Sequence, residues 1–357
     1  MKIGILTYHR SDNYGALLQA IALREVLKEM GHESTFIDYW PDYHRQMYSV
    51  FSFGAMKYKS VIGNIVYVIN TIRRYRVKKE RIKSFEEYRS KYIYPYLTTV
   101  DAEYDVVIHG SDQIWRKQKV LKSYNPVYFG KNNVKAARKI SYAASMGVVS
   151  PMDEDKEILK DYLSYLDCIS VREKELGDLV TELGYENDVS IDPTLLLDKK
   201  RWVDMMDLKS DSAEKYVLYY KLQHHSFDDE KIQKFAKSRN LKVKTIYGQA
   251  RKFNTEENIY IANPKDFLNL ILNAEYVFTS SYHGLVFSLL FHKPFYASFN
   301  KNSGRAQSLL QYLSLDDRLL TPMSNIPNIE NIINYANIDD MIEKERVRSL
   351  RYIEDSI

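Results

Sequence analysis

The chain has 357 residues, 45% hydrophobic and 27% charged, a balance that suits a water-soluble globular protein of one large or two ordinary domains. A net charge of +4 and the lack of any recognisable nucleic-acid module argue against a nucleic-acid partner. The only cysteine, Cys168, excludes an intrachain disulfide and a cysteine-rich metal site, and no apolar run is long enough to span a bilayer.

The opening "MKIGILTYHR" has neither the apolar region nor the small-residue cleavage site of a signal peptide, which predicts a cytoplasmic protein. "KIGILTY" reads as a strand, and "ALLQAIALREVLKEMGH" as a helix with Ala16, Leu17, Ala20, Leu23 and Leu27 on one face and Gly31 as a stop. With the strand "ESTFIDY" behind it, the chain opens as a βαβ unit of a parallel sheet. A basic helical insertion follows near 45–98, its Lys/Arg excess larger than the net charge of the whole chain, so the remainder is acidic. Its apolar positions Val61, Ile65, Val68, Ile69 and Ile72 fall at helical spacing. The reading favoured is a solvated helical hairpin docked by that face; the alternative is peripheral contact with an anionic membrane surface or a cover over a phosphorylated substrate.

"YDVVIHGSD", "ARKISYAASMG" and "CISVR" repeat the buried-strand pattern, and Pro193 in "VSIDPTLLLDKKRW" suggests a boundary. Beyond it strands ("KYVLYYKL", "KVKTIYG", "EYVFTSS") alternate with helices ("FDDEKIQKFAKSRNL", "NPKDFLNLILNA"), before helices in "SGRAQSLLQYLSL" and "IDDMIEKERVRSLRYIEDSI". The expected architecture is α/β, with two Rossmann-like domains facing across a cleft: residues 1–190, residues 191–325, and a C-terminal helical segment 326–357 packing back on the first domain.

In open parallel sheets ligands bind beyond the carboxyl ends of the strands, so polar residues there are the candidates. After the first strand these are Asn13, Tyr14 and Gly15, where Asn13 or Asp12 caps the helix and glycine permits close approach. "HGSDQIW" offers Gly110, Ser111 and Asp112, with Trp115 as a sugar platform. Arg172 closes "ISVR" and suits a carboxylate or phosphate, although a surface ion pair with Glu173 or Glu175 is its commoner fate. "TSSYHGLVFSLLFHKPF" places Ser280, Ser281 and His283 between a strand and an apolar helix, where an imidazole can exchange protons near neutral pH, or where Ser281 or His283 simply caps the helix.

These pieces in this order resemble the polysaccharide pyruvyl transferase family. "GILTYHRSDNYGALLQAIAL", "DVVIHGSDQIW", "SYAASMG", "ISVRE", "SIDPTLLL", "SSYHGLVFSLLFHKPF" and "NSGRAQSLLQYL" carry the resemblance, from residue 3 to about residue 320. It implies a fold like that of two-domain glycosyltransferases of the B type. It also implies transfer of the enolpyruvyl unit of phosphoenolpyruvate to a sugar, forming a ketal and releasing phosphate, in bacterial exopolysaccharide or capsule biosynthesis. Phosphoenolpyruvate is then a donor substrate, and neither cofactor nor metal is required. His283 fits the proton relay, Asp112 a sugar-orienting or proton-moving carboxylate, and Arg172, Lys301 and Arg305 the cations that hold the anionic donor. Ser280 and Ser281 line the same site. The family's usual arginine two positions before the histidine is Ser281 here, so the missing charge is expected from Lys301 or Arg305. A lipid-linked acceptor would give the basic insertion a reason to lie at the inner face of the cell membrane. A glycosyltransferase using a nucleotide sugar and a non-catalytic sugar-binding or assembly protein are the alternatives; the sequence is silent on oligomeric state.

Overall fold

The computed structural model describes residues 1–51, 60–210, 214–222, 227–248, 255–299, 304–322, 324–327 and 333–357. Its first sheet is wholly parallel and runs β3-β2-β1-β4-β5, built from β1 (Lys2–Leu6), β2 (Glu33–Ile37), β3 (Leu97–Thr98), β4 (Glu103–Gly110) and β5 (Lys135–Tyr142). Ile5 stands beside Ile108 at its centre. Helices cover both faces of such a sheet, so β1 is an almost unbroken apolar run with Ile3, Ile5 and Leu6 inaccessible. Short β6 (Ser170–Val171) and β7 (Asp188–Val189) extend the layer through parallel bridges from Ile140 to Cys168 and from Ala144 to Val171.

The second sheet is again parallel and repeats the winding of the first. Its strands β8 (Tyr216–Lys221), β9 (Lys242–Tyr247), β10 (Asn258–Ile259), β11 (Tyr276–Thr279) and β12 (Phe295–Ala297) lie in the order β10-β9-β8-β11-β12. In each sheet the chain reverses direction of winding between its first and fourth strands, and a crevice opens at their carboxyl ends. The two crevices belong to the loops that hold the candidate residues.

Helix α1 (Tyr14–Glu29) starts at Asn13, whose side chain accepts from the Ala16 N–H. Helices α2 (Asp42–Tyr48) and α3 (Val61–Tyr92) belong to the basic insertion; residues 52–59 between them lie outside the described part. The expected docked hairpin is not what forms. α3 is one 32-residue helix, and Val61, Ile65, Ile69 and Ile72 are exposed rather than docked, with Val68 half-buried. Tyr67 meets Phe51 at 5.6 Å, and the buried residues of the helix begin at Val77, Arg81 and Phe85, where it crosses both sheets' units. There Arg81 Nη1 donates to the Tyr14 hydroxyl at 3.2 Å and to the Tyr260 carbonyl at 2.9 Å, and Tyr14 stacks between Phe85 and Phe267.

The first unit continues with α4 (Asp153–Leu163) and α5 (Lys174–Glu182), α6 (Lys199–Met206) follows the expected boundary with Trp202 against Phe287, and the second unit supplies α7 (Asp229–Lys237), α8 (Pro264–Leu272), α9 (Tyr282–Leu290) and α10 (Gly304–Tyr312). α9 is buried along its whole length, and one apolar cluster runs from Leu17 and Phe36 to Phe267 and Phe287. The two units therefore meet across a dry contact as well as a crevice. The last helix, α11 (Tyr335–Ser356), returns to the first unit as expected. Tyr352 donates to the Ser141 carbonyl, Arg346 Nε to the Leu195 carbonyl, and the Ser349 hydroxyl accepts from the Ile191 N–H.

Candidate functional site

Gln19 on α1 joins the two central strand ends of the first sheet. Its amide donates to Thr7 Oγ1 at 3.0 Å and its oxygen accepts from the Ser111 N–H at 3.2 Å. Ser111 is inaccessible and donates to the Ala143 carbonyl, while Asp112, half-buried beside it, accepts the Gln113 N–H at 2.8 Å. Gly110 is required for a local reason. Its φ is +152°, and a β-carbon there would lie 2.1 Å from the Tyr142 carbonyl oxygen, so what approaches it closely is the protein's own backbone rather than a ligand.

Three candidates from the first unit have structural positions. Asn13 is the exposed cap of α1, and Tyr14 is locked among Phe85, Phe267 and Arg81. Trp115, expected as a sugar platform, is 1% exposed; it stacks on Phe129 at 4.7 Å and its Nε1 donates to the Tyr128 carbonyl. It presents no open face, because the turn at 126–129 covers it.

From the second unit, Ser280 Oγ accepts the Leu222 N–H at 2.9 Å, tying the ends of β8 and β11. Ser281 is the cap of α9, its side chain accepting from the Gly284 N–H. That leaves His283, the second residue of the helix, free of capping duty. Its ring crosses to the first unit and lies on the α-carbon of Gly15: a β-carbon there would be 1.9 Å from His283 Nδ1. The other nitrogen, Nε2, stands 3.4 Å from Asp192 Oδ2, an ion-pair distance without a hydrogen bond's geometry, and is buried with no hydrogen-bond partner among the described residues.

Arg172 was expected at best to meet a ligand and otherwise to form a surface pair with Glu173 or Glu175. It does not lie at the surface. Its side chain is 2% exposed and its Nη1 donates to Asp192 and, at 3.4 Å, to Ser111 Oγ. Arg305, from α10 of the other unit, reaches the same place with 11% of its side chain exposed and its Nε 3.6 Å from Glu173 Oε1. The two guanidinium carbons sit 5.2 and 5.1 Å from the ring centre of Tyr282. Arg172 Nε and Nη2 and Arg305 Nε are buried and lack hydrogen-bond partners among the described residues, and so does Glu173 Oε2.

The electrostatics follow from this crowding. Burial alone would raise the Asp192 carboxyl, but Arg172, then His283 and the Thr194 N–H, outweigh it and hold the group far below the usual carboxylate range. Arg172 is opposed by burial, yet Asp192 and Glu173 leave its guanidinium more firmly protonated than usual. Arg305 moves the other way: burial and the neighbouring Arg172 lower it, with Glu173 and Asp112 opposing. Each guanidinium already faces a carboxylate, Asp192 or Glu173, but buried N–H donors left without acceptors cost free energy, so the arrangement is suited to a small ligand that brings acceptor oxygens. Imidazole and carboxylates at its edge can move protons.

The sequence does not single out Asp192 or Tyr282, and it offers Glu173 only as a surface partner of Arg172. Asp192 ends the run "VSID" and so carried the same strand-end signal as Ser111; the other two were hidden by their neighbours Arg172 and His283. Lys301 lies outside the described residues.

A search of curated proteins gave no match. Among solved structures, similarity extends over almost the whole chain. A UDP-GlcNAc 2-epimerase from Methanocaldococcus jannaschii is 11% identical with a TM-score of 0.48, covering 99% of this chain and 100% of that one. The glycosyltransferase SnogD from Streptomyces nogalater is 10% identical with a TM-score of 0.43, covering 98% and 95%. In sequence, residues 13–300 match the polysaccharide pyruvyl transferase family, a span that takes in both crevices, Arg172 and His283. The chain belongs to the polysaccharide pyruvyl transferase family and is a transferase.

Proposed function

We propose that the protein transfers a pyruvyl unit from phosphoenolpyruvate to two hydroxyls of a sugar in bacterial surface polysaccharide biosynthesis. The observation that carries this reading is the pair of guanidinium groups, buried Arg172 and largely covered Arg305, meeting from opposite units over Tyr282 with N–H groups that have no partner among the described residues. Phosphoenolpyruvate brings a carboxylate and a phosphate, and two forked cations suit two planar or tetrahedral anions. Arg305 takes the part that Ser281, a helix cap, cannot.

In the proposed reaction the methylene carbon takes a proton and one sugar hydroxyl oxygen bonds to C2, giving up its own proton. The second hydroxyl oxygen then bonds to C2 as the C2–O bond to phosphate breaks, and its proton leaves with the phosphate. His283, held between Gly15 and Asp192, relays protons; Asp112, at the end of β4, orients the sugar. The guanidinium groups balance the charge that gathers on the departing phosphate. Titration calorimetry with phosphoenolpyruvate, paired with mass spectrometry of a candidate acceptor, tests this. Binding of phosphoenolpyruvate that Arg305→Ala weakens supports the reading, and binding of nucleotide sugars in its place overturns it.

A further inference from the structure

The first three turns of α3, "VIGNIVYVINTI", contain no charged residue; Tyr67 tilts against Phe51 at 5.6 Å, but most of the aliphatic side chains stand exposed. Val61, Ile62, Ile65, Val66, Ile69 and Ile72 are between 44 and 77% exposed. At 100° per residue these positions fall on one arc of about 140°. Farther along the helix the same arc carries Arg73, Arg76, Lys79, Lys83 and Lys91 against Glu80 and Glu87, with Arg76 and Lys83 pairing with those two acids one turn away in exposed positions. A single stripe thus changes from apolar to basic along its length. No helix among the described residues is long and apolar enough to cross a membrane.

We infer that this stripe docks the protein on an anionic lipid surface, the apolar turns entering the boundary between headgroups and acyl chains and the arginines and lysines pairing with lipid phosphates. The partner is argued from complementarity. Isoleucines and valines beside an excess of cations need an apolar phase and anions side by side, and an anionic membrane supplies both. A second copy of the chain would bring the same positive charge to the contact. The buried half of the same helix touches the first crevice, where Arg89 Nη1 donates to Asp12 and to the Arg10 and Ser11 carbonyls. Docking would hold that crevice within one helix length of the lipid, within reach of an acceptor carried on it.

The test is flotation of the full chain with vesicles of phosphatidylcholine alone or mixed with phosphatidylglycerol, at low and high salt, with no donor or acceptor present, so that its outcome is independent of the proposed reaction. The wild type should float with the anionic vesicles, and far less in high salt. The triple variant Ile62→Ser, Ile65→Ser, Ile69→Ser should fold with an unchanged Tm, since these side chains are exposed, and bind on the order of a hundredfold more weakly. Arg73→Glu with Arg76→Glu should abolish the preference for anionic lipid. Flotation that neither set of substitutions alters overturns the inference. So does a wild-type dimer that floats with neither vesicle and that the isoleucine substitutions split.

Discussion

His283 and Gly15 come from opposite units of the chain, and the imidazole rests on the glycine's α-carbon with no room for a methyl group between them. In an ordinary helix Gly→Ala gains about 1 kcal/mol. Here the added carbon would fall 1.9 Å from Nδ1, so the ring must swing away from Asp192. Gly15→Ala should therefore lower kcat toward that of His283→Ala, itself expected to be down on the order of 10²- to 10⁴-fold, with little loss of thermal stability. Steady-state kinetics and Tm on both variants check this; full activity in Gly15→Ala would mean that the ring position is unimportant.

Arg305→Ala should raise the KM for phosphoenolpyruvate much more than that for the sugar, and Arg305→Lys should recover part of the loss by charge without the fork. Arg172→Ala should do the same to donor kinetics and also destabilise the fold by about 3–5 kcal/mol, because it strands the buried Asp192 carboxylate. The two variants are thus separable by urea unfolding, and unchanged donor kinetics in both would remove the anion site.

The Asp192 carboxyl has its pKa pushed below the value it takes in the unfolded chain. A group shifted that way adds stability above its unfolded pKa and loses it as pH falls from about 4 toward the folded value. Asp192→Asn keeps the oxygen that accepts from Thr194 but loses the charge facing Arg172. Its deficit against wild type should be largest at pH 7 and shrink below about pH 4, measured as the unfolding midpoint across pH. A deficit constant with pH would show that the pair does not depend on ionised Asp192.

Trp115→Ala should cost about 3–5 kcal/mol of stability, as expected for emptying a large core site. Trp115→Phe should keep the stacking on Phe129 and leave the sugar KM as it was. A raised sugar KM in a well-folded Trp115→Phe variant would restore the platform that the sequence suggests.

What the sequence made legible was local. Runs such as "KIGIL" and "YVFT" announce buried parallel strands, and the rule that ligands gather at strand ends leads directly to Ser111, Arg172 and His283. What stayed hidden depends on which strand end faces which. Asp192 acquires its meaning only when Arg172 and His283 arrive from two different sheets, and Trp115 becomes a core residue only because the turn carrying Phe129 folds over it. The apolar spacing in α3 announces a helix, but periodicity reveals neither that the helix runs on unbroken in place of a hairpin nor whether an apolar face has anything to lie against.

The return of α11 also orders events in time. Ser141, Ile191 and Leu195, all made before the second sheet, are contacted by a helix that the ribosome delivers only after that whole sheet has been made. Domains emerging from synthesis usually fold as they appear. Here the earlier-made half must wait with one flank uncovered until the later half is complete. Protease sensitivity of nascent chains should therefore persist around residues 189–195 until α11 has left the ribosome.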